Sequence, residues 1–172
     1  MIHLKEGFPP IARKDARVLI LGSMPGEESL RRKEYYGNPR NAFWKIMARI
    51  FEFDPLLDYE KKIGVLTENS VALWDVLKTC ERFGSLDTNI KTGTIIKNNF
   101  VDFYRRFPCI RNVFFNGSRA EHEYQKRVMP EISAMPHCLI HKRLPSTSPA
   151  MSRLSFAEKL LEWSEIKIVL RN

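Results

Sequence analysis

Residues 17–22 read RVLILG, and the fold class can be inferred outward from this stretch. An uninterrupted apolar run that ends at a glycine is typical of a strand buried on both faces of a sheet. Apolar runs bounded by turn residues occur again downstream. The sequence therefore predicts four strands, at 17–21, 70–76, 110–115 and 138–140.

The segments between these strands have helical character, because apolar residues recur there every three or four positions. Helices are predicted at 42–51 with Asn41 as N-cap, at 58–69, 97–107 and 118–128, and from Ser152 or Ser155 to about residue 168. Strands that alternate with helices favour parallel pairing, since each crossover helix returns the chain to the same edge of the sheet. We predict an α/β protein with a single domain over residues 1–172. Its fold is a three-layer α/β/α sandwich around a parallel sheet of about four strands.

In such sheets the functional site lies beyond the carboxyl ends of the strands. This rule selects the loops at 22–41, 75–89, 116–119 and 141–151. The first loop is long and ends in YYGNPRNAFW (residues 35–44), which is rich in aromatic residues and asparagines. Aromatic faces can stack on an unstacked base, and amides can bond to a base edge. The loop therefore favours recognition of a nucleobase.

The composition points to the same class of partner. The chain has 172 residues and a formal net charge of +8, with a pI near 9.5. A basic protein favours polyanionic partners, of which nucleic acid is the commonest, although some basic proteins are simply soluble. No apolar stretch is long enough to span a membrane, and the first residues lack the apolar centre of a signal peptide. We expect a monomer in the cytoplasm, associated with the nucleoid if the source is prokaryotic.

Cofactor and metal motifs are missing from the sequence. Cys80, Cys109 and Cys138 are far apart and form no Cys-x-x-Cys pair, so we expect three reduced thiols. The segment GSMPG (residues 22–26) lacks the pattern of a nucleotide-phosphate loop. The histidines are scattered along the chain. We therefore predict neither a metal nor a cofactor.

Three segments together carry a family resemblance: GSMPGEES (22–29), YYGNPRNAFW (35–44) and LPSTSPAM (144–151). They resemble the uracil-DNA glycosylase superfamily, and most of all its hypoxanthine-DNA (deoxyinosine) glycosylase branch. The mismatch-specific uracil/thymine glycosylases are the next most similar branch. The resemblance covers almost the whole chain in the right order. It implies an α/β/α sandwich that binds damaged DNA, flips a deaminated nucleotide and hydrolyses its N-glycosidic bond without a cofactor.

The resemblance also assigns roles to single residues. Asn41 falls on the catalytic amide of the hypoxanthine branch, and Tyr36 on the aromatic residue that stacks on the flipped base. Two positions depart from related branches. Met24 stands where others carry a water-positioning Asp or Asn, and Leu144 stands where many carry a histidine that stabilises the departing base. Both departures disfavour uracil and favour a different base.

The residues predicted to bind the base lie at the ends of the predicted strands, and they are Ser23, Met24, Tyr36, Asn38, Asp75 and Asn116. Backbone N–H groups of residues 23–26 offer hydrogen-bond donors. Asp75 either accepts from a purine N1–H or caps a turn, and Asn116 either contacts the base or forms an Asn-Gly turn. Asn41 is a helix cap in the alternative interpretation, and Asn38 then competes for the catalytic role. Trp74 is expected in the core.

The residues predicted to bind the DNA backbone lie in the last loop and just before it, and they are Lys142, Arg143, Ser146, Thr147, Ser148 and Met151. Cations and small hydroxyls suit phosphates. Met151 or Pro149 is predicted to fill the space that the flipped base leaves in the stack. A simple helix-capping loop is the alternative at 144–151.

Three functions therefore remain open from the sequence. The first is a glycosylase for deaminated purine, most of all hypoxanthine. The second is a glycosylase for uracil or for mismatched uracil and thymine. The third is a non-catalytic nucleic-acid-binding module on the same fold, which the replacements at Met24 and Leu144 would allow.

Overall fold

The structure is a computed structural model and describes residues 4–135 and 138–171. Its strands, in chain order, are β1 (Leu4–Glu6), β2 (Val18–Gly22), β3 (Val71–Asp75), β4 (Leu77–Glu81), β5 (Ile96–Lys97), β6 (Asn112–Asn116) and β7 (Ile140–Leu144). Its α-helices are α1 (Glu27–Arg32), α2 (Phe43–Phe51), α3 (Tyr59–Glu68), α4 (Phe100–Arg106), α5 (Ser118–Arg127), α6 (Met129–Ile132), α7 (Phe156–Trp163) and α8 (Glu165–Arg171). Two short 3-10 helices lie at Asp87–Asn89 and Thr92–Thr94.

The central sheet contains four parallel strands in the order β3-β2-β6-β7. Every residue of β2 and β3 is buried, as a strand covered on both faces requires. Leu19 and Leu21 of β2 pack into one core cluster with α4, α5 and α6, whereas Val18 and Ile20 pack into the other with α2, α3, α7 and α8. Helices thus cover both faces, and the predicted α/β/α sandwich is confirmed.

Three of the predicted strands are confirmed to within two residues by β2, β3 and β6. The fourth was wrong, because β7 begins at Ile140, where the predicted strand 138–140 ends. This strand forms the edge of the sheet, and His141, Lys142 and Arg143 are all at least partly accessible. Polar side chains on an edge strand hide the apolar pattern that marks central strands.

A second, smaller sheet was not predicted. It contains three antiparallel strands in the order β1-β4-β5. These strands are short, and charged residues such as Lys5, Lys78 and Glu81 interrupt their pattern. Strand β4 begins two residues after β3 ends, so it carries the chain away from the central sheet. The segment after β4 then returns to the carboxyl end of β2, where it forms part of the site described below.

Most predicted helices are present with shifted ends. Helices α3 and α5 match their predicted ranges to within one residue. The helix predicted from residue 97 begins instead at Phe100, because β5 occupies Ile96–Lys97 and Asn99 Oδ1 caps α4 by accepting from Asp102 N at 3.1 Å. Ser155 caps α7 in a capping box with Glu158, and the predicted last helix divides into α7 and α8. The short helix α1 lies inside the stretch 22–41, which was predicted to be a loop throughout.

Trp74 occupies the core, as expected. It is 6% exposed, and its ring centroid lies 4.8 Å from that of Phe100 and 4.7 Å from that of Phe103. Cys80 is buried and Cys109 and Cys138 are exposed, and all three are free cysteines. In the described part of the chain no helix is long and apolar enough to cross a membrane.

Candidate active site

A pocket of about 1000 Å³ opens beyond the carboxyl ends of the central strands. All the predicted base-binding residues line it, together with Asn41, Ser146, Thr147, Ser148 and Met151. The topology brings these distant segments together, because parallel strands end at the same edge of a sheet. Lys142 and Arg143 are not among its described lining residues.

The floor of the pocket contains a buried carboxyl group. Asp75 ends β3 beside Gly22, and a Cβ atom built on Gly22 would lie 2.3 Å from Asp75 Oδ1. Glycine at position 22 therefore makes room for this carboxyl group. Asp75 is 4% exposed, and its Oδ2 accepts no hydrogen bond from any described residue.

Burial raises the pKa of Asp75 to about 7, and the negative charge of Asp87 adds to the effect while the Arg82 guanidinium opposes it. The carboxyl group therefore changes charge near neutral pH. It can donate a hydrogen bond when protonated and can only accept when ionised.

Tyr36 lies against this carboxyl group in a strained backbone conformation. Its φ is 55°, which is the left-handed region that side chains other than glycine rarely adopt. The ring stacks on Phe43 with centroids 3.8 Å apart, so only the opposite face is left for a base. The hydroxyl is buried without a hydrogen bond. Burial and the charge of Asp75 raise the pKa of Tyr36, and the Asn116 amide opposes this effect.

Asn41 is half-buried at the pocket wall. Its Oδ1 accepts from Phe43 N at 2.9 Å, at the first residue of α2. The N-cap position itself is Ala42, so the predicted N-cap at Asn41 was one residue early. The contact has the i to i+2 spacing of an Asx turn, and the amide oxygen keeps a second lone pair. Asn38 makes a similar turn bond to Arg40 N at 3.0 Å.

Asn116 is held by Thr147 at both ends of its amide. Its Nδ2 donates to Thr147 Oγ1 at 2.8 Å, and its Oδ1 accepts from Thr147 N at 2.9 Å. Thr147 O accepts in turn from Ala42 N at 3.0 Å. Thr147 is 1% exposed and joins the end of β6 to the start of α2. Contact between Thr147 and DNA stays a prediction.

The rest of the last loop forms one rim of the pocket. A Cβ atom on Gly117, whose φ is 90°, would lie 2.9 Å from Ser146 Cβ, so glycine allows this loop to approach β6 closely. Ser146 and Ser148 are partly exposed, and each hydroxyl accepts from a backbone N–H two residues ahead. Met151 is partly exposed, and its carbonyl accepts from Lys159 Nζ at 2.6 Å.

Sequence reasoning missed a polar cluster beside the floor. Arg82 is 1% exposed and donates to the carbonyls of Met24, Pro25 and Gly84. Asp87 accepts from Ser23 Oγ through both carboxylate oxygens, at 2.8 and 2.9 Å, and lies 3.8 Å from the guanidinium of Arg82. Arg82 and Asp87 follow β4, a strand that was not predicted. No sequence pattern indicates that they lie beside the pocket floor.

Arg119 is a second lining residue that was not predicted. It belongs to the first turn of α5, and its Nε lies 3.0 Å from Glu123 Oε1. Its Nε and Nη2 are buried, and apart from this ion pair they have no hydrogen bond among the described residues. Buried polar side-chain atoms that lack a hydrogen bond occur in only four described residues, and three of these, Tyr36, Asp75 and Arg119, line the pocket.

Lys142 and Arg143 lie on β7 and already have acidic partners. Lys142 pairs with Glu165, and Arg143 Nη1 lies 3.1 Å from Glu121 Oε2. Arg40 is exposed at the pocket, and among the described residues it forms no ion pair. Of these three cations, Arg40 is thus the one without an acidic partner among the described residues.

The two positions that depart from the superfamily pattern differ in their surroundings. Met24 is 6% exposed and lines the pocket. Leu144 is fully buried in the core cluster of Phe43 and Trp163. No group of three His, Cys, Asp or Glu side chains suited to a metal ion occurs within 4–135 and 138–171.

The model of the uracil DNA glycosylase superfamily matches residues 9–163, which include every element that lines the pocket. The chain belongs to the uracil DNA glycosylase superfamily. Among its relatives, the hypoxanthine DNA glycosylase of Methanosarcina acetivorans is 38% identical over 164 residues, with 95% of this chain and 98% of that protein covered. The hypoxanthine DNA glycosylase of Methanosarcina barkeri is 34% identical, with 94% and 96% covered.

A solved structure of the superfamily supports the same fold. It is a solution NMR structure of a Methanosarcina acetivorans protein provisionally named a uracil DNA glycosylase. The two chains superpose with a TM-score of 0.80 at 36% identity, and the match covers 98% of this chain and 99% of that one. The resemblance on which the sequence-based prediction rested is therefore confirmed for the superfamily.

Proposed function

We propose that this protein removes hypoxanthine from DNA as the first step of base-excision repair. The observation that carries the proposal is that two buried polar atoms without a hydrogen bond, Tyr36 Oη and Asp75 Oδ2, belong to residues that line one pocket. Such groups are costly to bury unless a ligand completes their hydrogen bonds. The names of the two Methanosarcina relatives support the choice of base.

Asp75 is suited to distinguish hypoxanthine from adenine. Hypoxanthine carries a hydrogen on N1, and the ionised carboxylate accepts it. Adenine presents a lone pair at N1, which would face the carboxylate and leave Oδ2 unpaired. A site built for one hydrogen-bonding pattern discriminates strongly against a base that lacks it. The ionised form of Asp75 is therefore the form that selects the deaminated base.

Asn41 positions the attacking water in this proposal. The bond between C1′ of the sugar and N9 of hypoxanthine breaks, and its electron pair leaves with the base. Water oxygen adds to C1′, and the proton that the water loses neutralises the departing base, which yields hypoxanthine and an abasic site. The free lone pair of Asn41 Oδ1 orients the water, which is enough because the sugar already carries positive charge in a dissociative transition state. The backbone N–H groups of Ser23, Met24 and Gly26 stabilise the charge on the departing base, whereas Pro25 has no N–H to contribute.

The rim of the pocket would hold the DNA backbone. Arg40, Ser146 and Ser148 present a cation and two hydroxyls to phosphates. Lys142 and Arg143 each have a carboxylate partner already, so part of their charge is neutralised before DNA binds. Met151 would fill the space left by the flipped nucleotide. We propose that the protein acts as a monomer in the cytoplasm, on nucleoid DNA in a prokaryote.

Uracil is the second candidate base. Uracil N3–H could also donate to Asp75, and the similar solved structure bears the name of a uracil enzyme. The buried Leu144 argues against it, since it removes the imidazole that would stabilise a uracil anion. Mismatched uracil or thymine falls under the same objection.

The deciding experiment uses labelled duplexes that contain one deoxyinosine, deoxyuridine or deoxyadenosine. After incubation, alkali converts each abasic site into a strand break. We expect breaks at deoxyinosine and intact deoxyadenosine strands. Faster cleavage at deoxyuridine would favour the second candidate. Binding without cleavage of any duplex would make the protein a non-catalytic module.

A further inference from the structure

The loop formed by residues 83–88 borders the pocket and exposes two apolar side chains, of which Leu86 lines the pocket. Leu86 is 52% exposed and lines the pocket that contains Asp75. Phe83 is 71% exposed three residues earlier. Single exposed apolar residues are common on proteins, and Leu56 and Leu161 are further examples here. Two of them in one loop beside a substrate pocket indicate a binding surface.

The loop is held in place from within. Its backbone carbonyls at Phe83 and Gly84 accept from Asn89 Nδ2 and Arg82 Nε, each at 3.0 Å. Ser85 Oγ accepts from Glu27 N at 2.9 Å, and Asp87 binds Ser23 as described above. Several polar groups of the loop thus bond to the protein, and more than half of the surface of Phe83 and of Leu86 is exposed. Such anchoring suits side chains that must push against a partner.

The position of the loop identifies that partner. It is anchored to the end of β2 through Ser23, whereas the loop of Met151 is anchored to the end of β6 through Asn116. Both loops line the same pocket. When a nucleotide leaves the duplex, it exposes the apolar faces of the neighbouring base pairs beside the pocket mouth.

We propose that Leu86, supported by Phe83, inserts into the base stack next to the flipped nucleotide and acts as a second wedge beside Met151. The proposal rests on the proposed function, because it requires a duplex from which a nucleotide is extruded. Apolar side chains serve this purpose in DNA-bending proteins, where they unstack adjacent bases. Here the wedge would stabilise the gap and so favour the extrahelical state.

The test compares duplex and single-stranded substrates. A Phe83→Ala/Leu86→Ala variant should excise hypoxanthine from duplex DNA about tenfold more slowly in single turnover, yet retain most of its activity on a single strand, where no base pair must open. Leu161→Ala, which alters an exposed leucine of α7 outside this pocket, is the control. The single variant Leu86→Met should keep most of the wild-type duplex rate, because methionine is also apolar. Leu86→Gln should excise from duplex DNA more slowly.

A second measurement separates the wedge from the chemistry. With 2-aminopurine next to the deoxyinosine, the wild-type protein should raise the fluorescence as the stack opens, and the double variant should lose most of this rise. Equal slowing on both substrates would assign the loop to the catalytic site and overturn the wedge. An unchanged duplex rate would overturn it as well. If the wild type opens the stack but releases no hypoxanthine, the proposed function fails while the wedge stands.

Discussion

Two polar clusters lie side by side at the end of the central sheet, and they differ in how many of their polar atoms have hydrogen bonds. In the first, Arg82 donates to three backbone carbonyls and Asp87 binds Ser23 through both oxygens. In the second, Asp75 and Tyr36 each keep a buried polar atom without a hydrogen bond. A satisfied cluster stabilises the native state, whereas an unsatisfied one costs stability until a ligand completes it. The first therefore supports the loop, and the second is available for the substrate.

The largest effect is expected when the satisfied cluster is broken. Arg82→Met should lower the free energy of unfolding by about 3–5 kcal/mol, because it leaves the carbonyls of Met24, Pro25 and Gly84 without their donor. Chemical denaturation would measure this loss. The control is Arg105→Met, which removes an exposed cation 3.7 Å from Asp102 and should cost no more than about 0.5 kcal/mol. A variant at Arg82 as stable as the wild type would contradict the structural role of this cluster.

The next effect concerns Asn41, which has both a structural bond and a lone pair for the substrate water. Asn41→Ala should slow single-turnover excision by about 10²–10³, equal to roughly 2–4 kcal/mol of transition-state stabilisation. It should also cost about 1 kcal/mol of stability through the lost bond to Phe43 N. Asn41→Asp should keep partial activity, since a carboxylate also orients water.

Asn99→Ala is the matched control for Asn41, because it removes a helix cap at a residue that does not line the pocket. It should cost a similar stability and leave the rate unchanged. If Asn41→Ala behaved like Asn99→Ala, with normal turnover in the folded fraction, the catalytic role would move to Asn38.

The ionisation of Asp75 should make the stability of the protein depend on pH. Its pKa is raised from 3.8 to about 7, so between these values the native state holds a proton that the unfolded state has released. The stability of the wild type should therefore fall as the pH rises from about 4 to about 7 and level off above that. Asp75→Asn should remove this contribution and be more stable than the wild type at pH 8, by roughly 2 kcal/mol or more.

The same titration should control activity in the opposite sense. If the ionised carboxylate accepts from N1–H, excision should increase as the pH rises through about 7. In Asp75→Asn this increase should disappear, because the amide oxygen accepts at every pH. Melting temperatures and single-turnover rates at pH 5 to 9 measure both effects. A wild-type rate that falls through neutral pH would show that the protonated carboxyl group is the active form.

The smallest effect is expected in the salt dependence of DNA binding, when cations with and without an acidic partner are removed. Arg40 has no ion pair among the described residues, whereas Lys142 and Arg143 are paired with Glu165 and Glu121. Arg40→Ala should reduce the slope of log affinity against log salt by about 1. Lys142→Ala/Arg143→Ala should reduce it less, because a paired cation releases fewer counterions when DNA binds. Filter binding to undamaged duplex at several salt concentrations tests this. A larger change in the double variant would show that its ion pairs open on DNA.

Much of the site could be predicted because it follows from local rules. The apolar run at 17–22 predicts a buried strand, and the ends of parallel strands meet at one edge. Asn41, Tyr36, Asp75 and Asn116 were predicted in this way or from the family resemblance, and all of them line the pocket. Their catalytic and base-binding roles stay predictions.

Other parts of the site depend on contacts between distant residues, which only the tertiary structure decides. Ser23 and Asp87 are 64 positions apart, and Arg82 lies 57 positions from Pro25. No local pattern distinguishes these charged residues from ordinary surface charges, because burial of a charge depends on partners that the fold brings to it. For the same reason, the ion pairs of Lys142 and Arg143 could not be predicted. The sequence indicates free cations, whereas the fold places a glutamate beside each. The local pattern was thus enough to predict three strands of the central sheet and the loops at its edge, whereas contacts between distant residues fix which polar groups have hydrogen bonds and which remain available to a ligand.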